Sequence, residues 1–491
     1  MSPLDKFARV LGGDGVPERV RAALIGDTAR IDGPFGPKPL IYADYVASGR
    51  ALSFVEDFVR DDILPYYSNT HTQASYCGAY MTRLREAARA EIARLVGADE
   101  ATSVVFSGAG TTAGLNRLVS LLGVPEAVAR GERVVVLIGP YEHHSNILPW
   151  RESGAEVIEI EEAATGGVNL SHLESVLAGL RDGPADLLVG SFSAASNVTG
   201  IKVDVDAVTR MLRRYGAVAL WDYGCAAPYT EMDMRAGTDA QKDAIVFSPH
   251  KFPGGPGASG VAVIRDAIVR RTTPTKSGGG TVSFVSPWTH VYSRRLADRE
   301  EAGTPNSIGD IRACLVMLVK EALGQRWLDE RQGALRRMAM DVWSANPAIR
   351  LLGVATEDAL PIFSFQIRDG RGGYVHHQLF TRMLSDLHGV QARGGCSCAG
   401  PYGHRLLDIS QAESAAIAGA IARGEETEKP GWVRLNLSPL LSDEKARTIV
   451  QAVDSLAREA PRRRADYTVN TSTAQFQHVG ERQTDEEQET L

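Results

Sequence analysis

Cysteine is scarce in this chain of 491 residues. There are five, at 77, 225, 314, 396 and 398, an odd number without paired C-x₂-C spacing. A disulfide scaffold and the common zinc modules are therefore excluded, no metal is expected, and a reducing cytoplasm is the expected setting. Basic charge is not in surplus either: 53 Lys and Arg face 60 Asp and Glu, for a net charge of −7. No positive field is available to neutralise a phosphate backbone, so no nucleic-acid partner is expected. No stretch reaches the ~18 apolar residues of a membrane span. The opening MSPLDKFARVLGGDG lacks an apolar core, so no secretory signal and no membrane partner are expected. The glycines follow no collagen-like period, and no repeat of solenoid length occurs. What remains is an ordinary globular composition, 44% hydrophobic and 23% charged, in a chain long enough for two or three lobes.

The pattern along the chain is of two kinds. Residues 1–40, with a short helical stretch and the Gly/Pro-rich DGPFGPKP, read as an N-terminal arm. From residue 41 short apolar runs alternate with helical ones. The expected strands are 41–45, 103–107, 134–138, 156–160, 187–192, 218–222, 244–248 and 260–264; the expected helices are 81–95, 112–122, 170–180 and 205–215. Such alternation predicts βαβ crossovers and a mainly parallel sheet buried on both faces. Residues 41–305 thus form a large α/β domain. Residues 306–462 form a smaller α+β domain, with helices at 308–323, 329–345, 374–387 and 443–458 and a strand at 360–367. The polar, aperiodic residues 463–491 are expected to be a flexible tail.

Several strand ends carry chemistry. The run Ala244-Ile-Val-Phe-Ser-Pro-His-Lys251 ends a buried strand in a Pro/Gly-rich turn bearing one lysine. A partly buried lysine at the carboxyl edge of an open sheet is suited to Schiff-base chemistry; alone, it also reads as a surface lysine. Val218-Ala-Leu-Trp-Asp222 brings a carboxylate to the same edge. An Asp there can hold the protonated pyridine nitrogen of pyridoxal phosphate (PLP), or merely cap a turn. The segment Ser107-Gly-Ala-Gly110-Thr111-Thr112 is a Gly-rich turn opening a helix, which suits an anion, although it is neither a Walker loop nor a dinucleotide fingerprint. Glu142-His143-His144-Ser-Asn146 offers a histidine able to stack on an aromatic cofactor and move protons, and Ser196-Asn197-Val-Thr-Gly200 a hydrogen-bond donor. Satisfied histidines and an Asn turn are the bland alternatives.

These segments, in this order, resemble the class V aminotransferase family, fold-type-I PLP enzymes that include cysteine desulfurases, selenocysteine lyases and isopenicillin-N-epimerase-like proteins. The likeness is carried further by Tyr42-Ala-Asp-Tyr-Val-Ala-Ser, Gly278-Gly-Gly-Thr, Glu301-Ala-Gly-Thr304-Pro-Asn, Arg393-Gly-Gly-Cys396-Ser397-Cys398-Ala-Gly-Pro and Gly431-Trp-Val-Arg434, and spans residues 41–438. The resemblance implies a fold-type-I architecture, PLP as cofactor and a homodimer. It implies that Lys251 binds PLP and shuttles the Cα proton, that Asp222 pairs with the pyridine nitrogen and that His143 stacks on the ring. It gives the phosphate to Gly110, Thr111, Thr112, Ser248 and His250, with Thr304 reaching in from a second subunit. Asn197 and Cys225 then lie near the cofactor's phenolic oxygen, Asn197 or Arg393 near the substrate, and Arg434 clamps the substrate carboxylate.

Cys398 falls where cysteine desulfurases carry the cysteine that takes up sulfur as a persulfide. A thiolate there can attack the substrate sulfur. The sequence departs from the family's pattern at several points. Ser397 replaces the histidine that precedes this cysteine, Cys225 stands in place of a glutamine, Ala113 replaces a glutamate, and the stretch from Cys398 to Arg434 is long. The implied function is C–S bond cleavage in L-cysteine, with a persulfide on Cys398 and a sulfur-acceptor protein as partner, or β-elimination from a cysteine S-conjugate. An aminotransferase, epimerase or decarboxylating enzyme of secondary metabolism on the same fold remains the alternative, since fold alone does not choose a reaction.

Overall fold

The computed structural model describes residues 2–70, 72–181 and 183–481, which fall into two compact units. Among the described residues, the larger falls within 2–25, 46–331 and 354–360; the smaller falls within 26–45, 332–353 and 361–481.

The larger unit is built on seven strands: β1 (Thr102–Gly108), β2 (Val134–Ile138), β3 (Glu156–Glu159), β4 (Leu187–Ser193), β5 (Val218–Asp222), β6 (Ala244–Phe247) and β7 (Gly260–Arg265). Their order across the sheet is β1-β7-β6-β5-β4-β2-β3. Neighbours from β6 to β3 are parallel, and β7 runs antiparallel to both β6 and β1. The carboxyl ends of β1, β2, β4, β5 and β6 therefore share one edge. Every residue of β2 (VVVLI) and of β6 (AIVF) is buried, as expected for strands covered on both faces. On one face Leu115, Leu118, Val119 and Leu122, from and just past α2 (Gly110–Leu121), pack with Val105, Val136, Val189, Leu220, Val246 and Ala262. Each fully buried Val or Leu contributes roughly 1.5–3 kcal/mol. Helices α1 (Tyr76–Leu95), α3 (Val205–Arg214) and α4 (Ser307–Leu323) also belong to this unit.

Seven of the eight expected strands form this sheet. The eighth, over residues 41–45, does not join it: only Ile41–Tyr42 is strand, and it pairs in parallel with Val390–Gln391 of the smaller unit. Ile41 and Ala43 sink into that unit's core, which is where its apolar side chains find cover.

The smaller unit has an antiparallel sheet ordered β8-β9-β11-β10, from β8 (Ile349–Leu351), β9 (Ile362–Arg368), β10 (Arg393–Gly395) and β11 (Trp432–Asn436). Trp343, Phe363, Phe365 and Phe380 form its aromatic centre, with Trp343 edge-on to Phe363 at 4.9 Å and Phe365 to Phe380 at 6.0 Å. Trp343 ends α5 (Gln325–Trp343) and Phe380 lies in α6 (His377–His388); α7 (Gln411–Ala422) and α8 (Asp443–Arg463) follow. The tail expected from 463 is instead a hairpin over Tyr467–Asn470 and Gln475–His478. The Tyr467 hydroxyl donates to Asp386 (3.1 Å), and Phe476 packs on the core. Two anchoring rings among polar residues gave too little periodicity to show in the sequence. The rest of that segment, from 482, lies outside the described residues. The arm expected over 1–40 is divided between the units, its helices Pro3–Val10 and Val16–Ala22 belonging to the larger.

Candidate active site

The shared carboxyl edge of the large sheet collects most of the residues singled out in the sequence. Lys251 sits in the single 3₁₀ turn Pro249–Lys251 just past β6, its amide donating to the Ser248 carbonyl (3.0 Å). Residue 49 must be glycine here, because its amide donates to the His250 carbonyl at 2.9 Å and a Cβ would lie 1.9 Å from the Phe252 carbonyl oxygen. Lys251 is half-buried, and its charge is felt by both His250 and Asp222.

Asp222 ends β5 and is buried. Burial pushes its carboxyl above the usual range, against the pull of the Gly224 amide (2.6 Å) and of the Lys251 charge. Gly224 lies flat on it: a Cβ there would stand 2.8 Å from Asp222 Oδ1 and 3.2 Å from Thr111 Oγ1. A carboxylate desolvated in this way, with the Gly224 amide as its short-range donor, gains most from a cationic partner.

A glycine-lined cradle is built where α2 starts. Gly110 has φ +61°, and a Cβ on it would lie 2.6 Å from Ser248 Oγ and 3.0 Å from His250 Cε1. Ser248, buried, accepts the Thr111 amide hydrogen at 3.0 Å. Burial, aided by the Lys251 charge, drives the His250 imidazole down to about 4, so it is neutral at pH 7. Thr112 Oγ1 is 2.7 Å from Ser145 Oγ, and that hydroxyl is 3.0 Å from His143 Nδ1. The chain Thr112–Ser145–His143 thus ties the half-buried His143 to the cradle. Asn197 is buried in the loop after β4. Cys225 is buried two residues past Tyr223, and its thiol donates to the Ala195 carbonyl at 3.1 Å.

Thr304 stands outside these hydrogen bonds. It is exposed on the loop before α4, beside Gly303, whose amide donates to Gly279 (2.8 Å). That loop is anchored by Glu301, which takes Arg89 at 2.8 Å and the Phe106 amide at 2.8 Å and also pairs with Arg85.

Arg393, Arg434, Cys396 and Cys398 belong to the smaller unit. Arg393 and Arg434 are opposite each other on β10 and β11, and both bind one carboxylate: Arg393 Nε to Asp44 Oδ2 (2.9 Å) and Arg434 Nη2 to Asp44 Oδ1 (2.8 Å). Arg434 and Asp44 are buried; Arg393 is half exposed. All five cysteines are free thiols, with Cys398 exposed.

Two groups escaped the sequence reading. Asp44 carries no signal in the sequence; the fold pairs it with both arginines. Glu142 likewise sat unremarked before the two histidines. It is buried and receives Ser193 N (2.8 Å), Ser193 Oγ (2.7 Å), Gly139 N (3.2 Å) and Asn146 Nδ2 (2.5 Å). Asn146 is held in turn by Ser191 Oγ and Trp150 Nε1. Burial raises the Glu142 carboxyl to about 7 despite these donors, with Asp222 adding repulsion. This network fixes the loop that carries His143. The glutamate's position directly before the histidines was the available signal.

Known proteins resemble this chain in sequence and in fold. The aminotransferase class-V family pattern matches residues 41–418. A probable cysteine desulfurase of Vibrio cholerae is 28% identical over 374 residues, 75% of this chain and 86% of that one. A cysteine desulfurase of Klebsiella pneumoniae is 29% identical over 372 residues, 74% of this chain and 85% of that one. Among solved structures, the apo cysteine desulfurase of Thermococcus onnurineus superposes with a TM-score of 0.72 at 23% identity, covering 91% of this chain and 99% of that one. The cysteine desulfurase CsdA of Escherichia coli gives 0.69 at 21%, covering 91% and 100%. With the family's pattern matched across most of its length, and with the sheet order and carboxyl-edge site described above, the chain belongs to the aminotransferase class-V family and has the fold-type-I architecture of PLP enzymes.

Proposed function

We infer that this protein is a PLP-dependent enzyme that cleaves the C–S bond of L-cysteine and takes the sulfur onto Cys398. The observation that carries the cofactor reading is the buried Asp222 carboxyl, desolvated within the field of Lys251 and beside a glycine cradle that a Cβ would fill. These residues fit PLP. Lys251 would hold it covalently, Asp222 would keep its pyridine nitrogen protonated, and Gly110, Thr111, Thr112, Ser248 and His250 would take its phosphate. His143 would supply the stacking ring, with Asn197 and Cys225 beside the phenolic oxygen. Bound PLP supplies an electron sink that makes the substrate's Cα proton acidic.

The rest of the chemistry falls to the chain itself. The Lys251 amine takes the Cα proton and returns it. The Arg434 guanidinium, pre-oriented by Asp44 and joined by Arg393, receives the substrate carboxylate in a bidentate manner. The exposed Cys398 thiolate attacks the substrate sulfur, leaving alanine and a protein persulfide, from which a sulfur-acceptor protein can be charged. A reducing cytoplasm suits such a thiol. We also assign Thr304 to the phosphate site of a second copy in a homodimer. Its exposure supports this, as does the apolar hairpin of Val282–Val285 and His290–Tyr292, whose Phe284, Val285, Trp288 and Val291 are all exposed.

The test is to treat the holoenzyme with L-cysteine, quantify alanine, and map added sulfur by peptide mass spectrometry. Alanine with a 32-Da adduct on Cys398, both lost in Cys398→Ala, is expected. A second reading, β-elimination from a cysteine S-conjugate, draws on Ser397 standing where desulfurases have histidine, and on α7 lengthening the segment before Arg434. Under that reading Cys398→Ala still makes pyruvate. Borohydride should fix PLP to Lys251, and sedimentation should show a dimer; a label on another lysine or an active monomer overturns the corresponding assignment.

A further inference from the structure

The thiol at residue 396 has no part in the chemistry so far, yet the fold sets it beside Cys398. Residues 396–399 form a closed turn in which the Ala399 amide donates to the Cys396 carbonyl (3.2 Å). Its two central residues, Ser397 and Cys398, have φ of +53° and +55°. Positive φ at both central positions is the mirror-image turn that glycine and asparagine normally supply. Neither central residue is glycine, and each non-glycine residue held there costs roughly 1–2 kcal/mol. Strain at consecutive positions persists only where the surroundings impose it, and it concentrates at functional sites.

The turn has a geometric consequence. An extended Cys-x-Cys would separate the two Cα atoms by about 6.6 Å, at the far limit of the disulfide range of about 4.4–6.8 Å. One intervening residue in the left-handed region has the helical spacing, about 5.5 Å between Cα atoms two apart, close to the commonest disulfide value. Cys396 is half-buried and Cys398 exposed, and both are thiols.

We propose that Cys396 is a resolving thiol that discharges the Cys398 persulfide as hydrosulfide, giving the enzyme a sulfide-releasing half-reaction. This rests on the desulfurase reading above. The Cys396 thiolate attacks the inner sulfur, Cys398 Sγ. The Cys396–Cys398 S–S bond forms as the Cys398 Sγ–S bond breaks. The outer sulfur leaves with the electron pair as hydrosulfide, and the proton given up by the Cys396 thiol goes to the medium. Exchange of this kind favours departure of the more acidic thiol. Two electrons pass from the thiol pair to the departing sulfur, and the enzyme ends as an internal disulfide. An external dithiol reductant, itself oxidised to a disulfide, restores the two thiols for the next cycle. Sulfur delivered in this way leaves as a small anion and needs no docked acceptor protein.

The test is a single turnover. PLP-loaded, pre-reduced full-length enzyme, freed of reductant and kept anaerobic, receives one equivalent of L-cysteine. In the wild type, one equivalent of alanine should be accompanied by free sulfide, a loss of 2 Da in the intact protein and a peptide linking Cys396 to Cys398. A sample without cysteine should keep its mass, which separates the reaction from adventitious oxidation. Cys396→Ser should form alanine equally but retain the sulfur as a 32-Da adduct on Cys398, with little sulfide. A wild type that accumulates the same stable adduct as Cys396→Ser, without the 2-Da loss, overturns the resolving role while leaving the desulfurase reading intact. No alanine and no adduct in either protein overturns both.

Discussion

Glu142 offers a quantitative test of the buried network behind the site. Its carboxyl is shifted from 4.5 to about 7 in the folded protein. At 1.36 kcal/mol per unit this corresponds to about 3 kcal/mol. The sign is set by proton uptake: between those values the folded state holds a proton that the unfolded state has released, so stability falls as pH rises through the window. Glu142→Gln cannot ionise, and its stability lacks this dependence. The amide also turns a donor toward Asn146 Nδ2, whose partner oxygen Oδ1 is already taken by Ser191 and Trp150. That mismatch costs about 1–3 kcal/mol at every pH. The variant should therefore be clearly weaker than the wild type at pH 5, and the gap should close by about 2–3 kcal/mol at pH 8. The comparison must be made between the two proteins. In the wild type alone His250, held neutral down to about 4, and His377, down to about 3, oppose the trend by losing stability as pH falls below 6.5. Unfolding of the larger unit can be followed by urea-dependent thiol labelling of Cys314, fully buried in α4. A gap that stays constant within about 0.5 kcal/mol from pH 5 to pH 8 would refute a raised Glu142 carboxyl.

Three further outcomes follow from the geometry. Asp222→Asn should keep the bound cofactor yet lose at least about 10²-fold in kcat, as a key electrostatic partner does; near-normal turnover in a steady-state assay removes Asp222 from that role. Gly110→Ala, with its Cβ 2.6 Å from Ser248 Oγ and a positive φ, should weaken cofactor binding roughly tenfold or more, about 1–2 kcal/mol, measured by absorbance titration of the apoprotein; unchanged affinity would show that the cradle does not hold the phosphate. Asp44→Ala strands the buried Arg434 and should destabilise the smaller unit by about 3–5 kcal/mol, read by the urea midpoint of tryptophan fluorescence, whereas Arg393→Ala, removing a half-exposed partner, should cost under about 1 kcal/mol.

The large sheet was legible in the sequence because its strands are continuous apolar runs ending in polar turns; Val134–Ile138 and Ala244–Phe247 need no tertiary context to be found. The carboxyl-edge residues were legible for the same reason, since Asp222 and Ser248 each close such a run and Lys251 lies in the turn just after the second. Residues 41–45 were misplaced because a strand of two residues takes its sheet from its neighbours, and Ile41 finds cover in the core of the smaller unit. Asp44 was not legible, because an ion pair between residues 44, 393 and 434 has no local signature. The left-handed turn at Ser397 and Cys398 was hidden as well: neither residue announces positive φ as glycine would.

The order of the large sheet also sets when its edge strand can be paired during the chain's own synthesis. Strand β1 ends at residue 108, and its one partner in the sheet, β7, begins at residue 260. At about 5–20 residues per second, the ribosome takes roughly 8–30 s to cover that interval. Throughout it, the apolar Val-Val-Phe of β1 has no strand to pair with, while β2 to β6 can assemble as successive crossovers. The Gly110 turn is completed only when Gly260 closes against its backbone, where a Cβ would lie 2.6 Å away. A nascent chain arrested between β6 and β7 would thus carry Lys251 beside a Gly110 turn whose backbone still lacks its Gly260 neighbour.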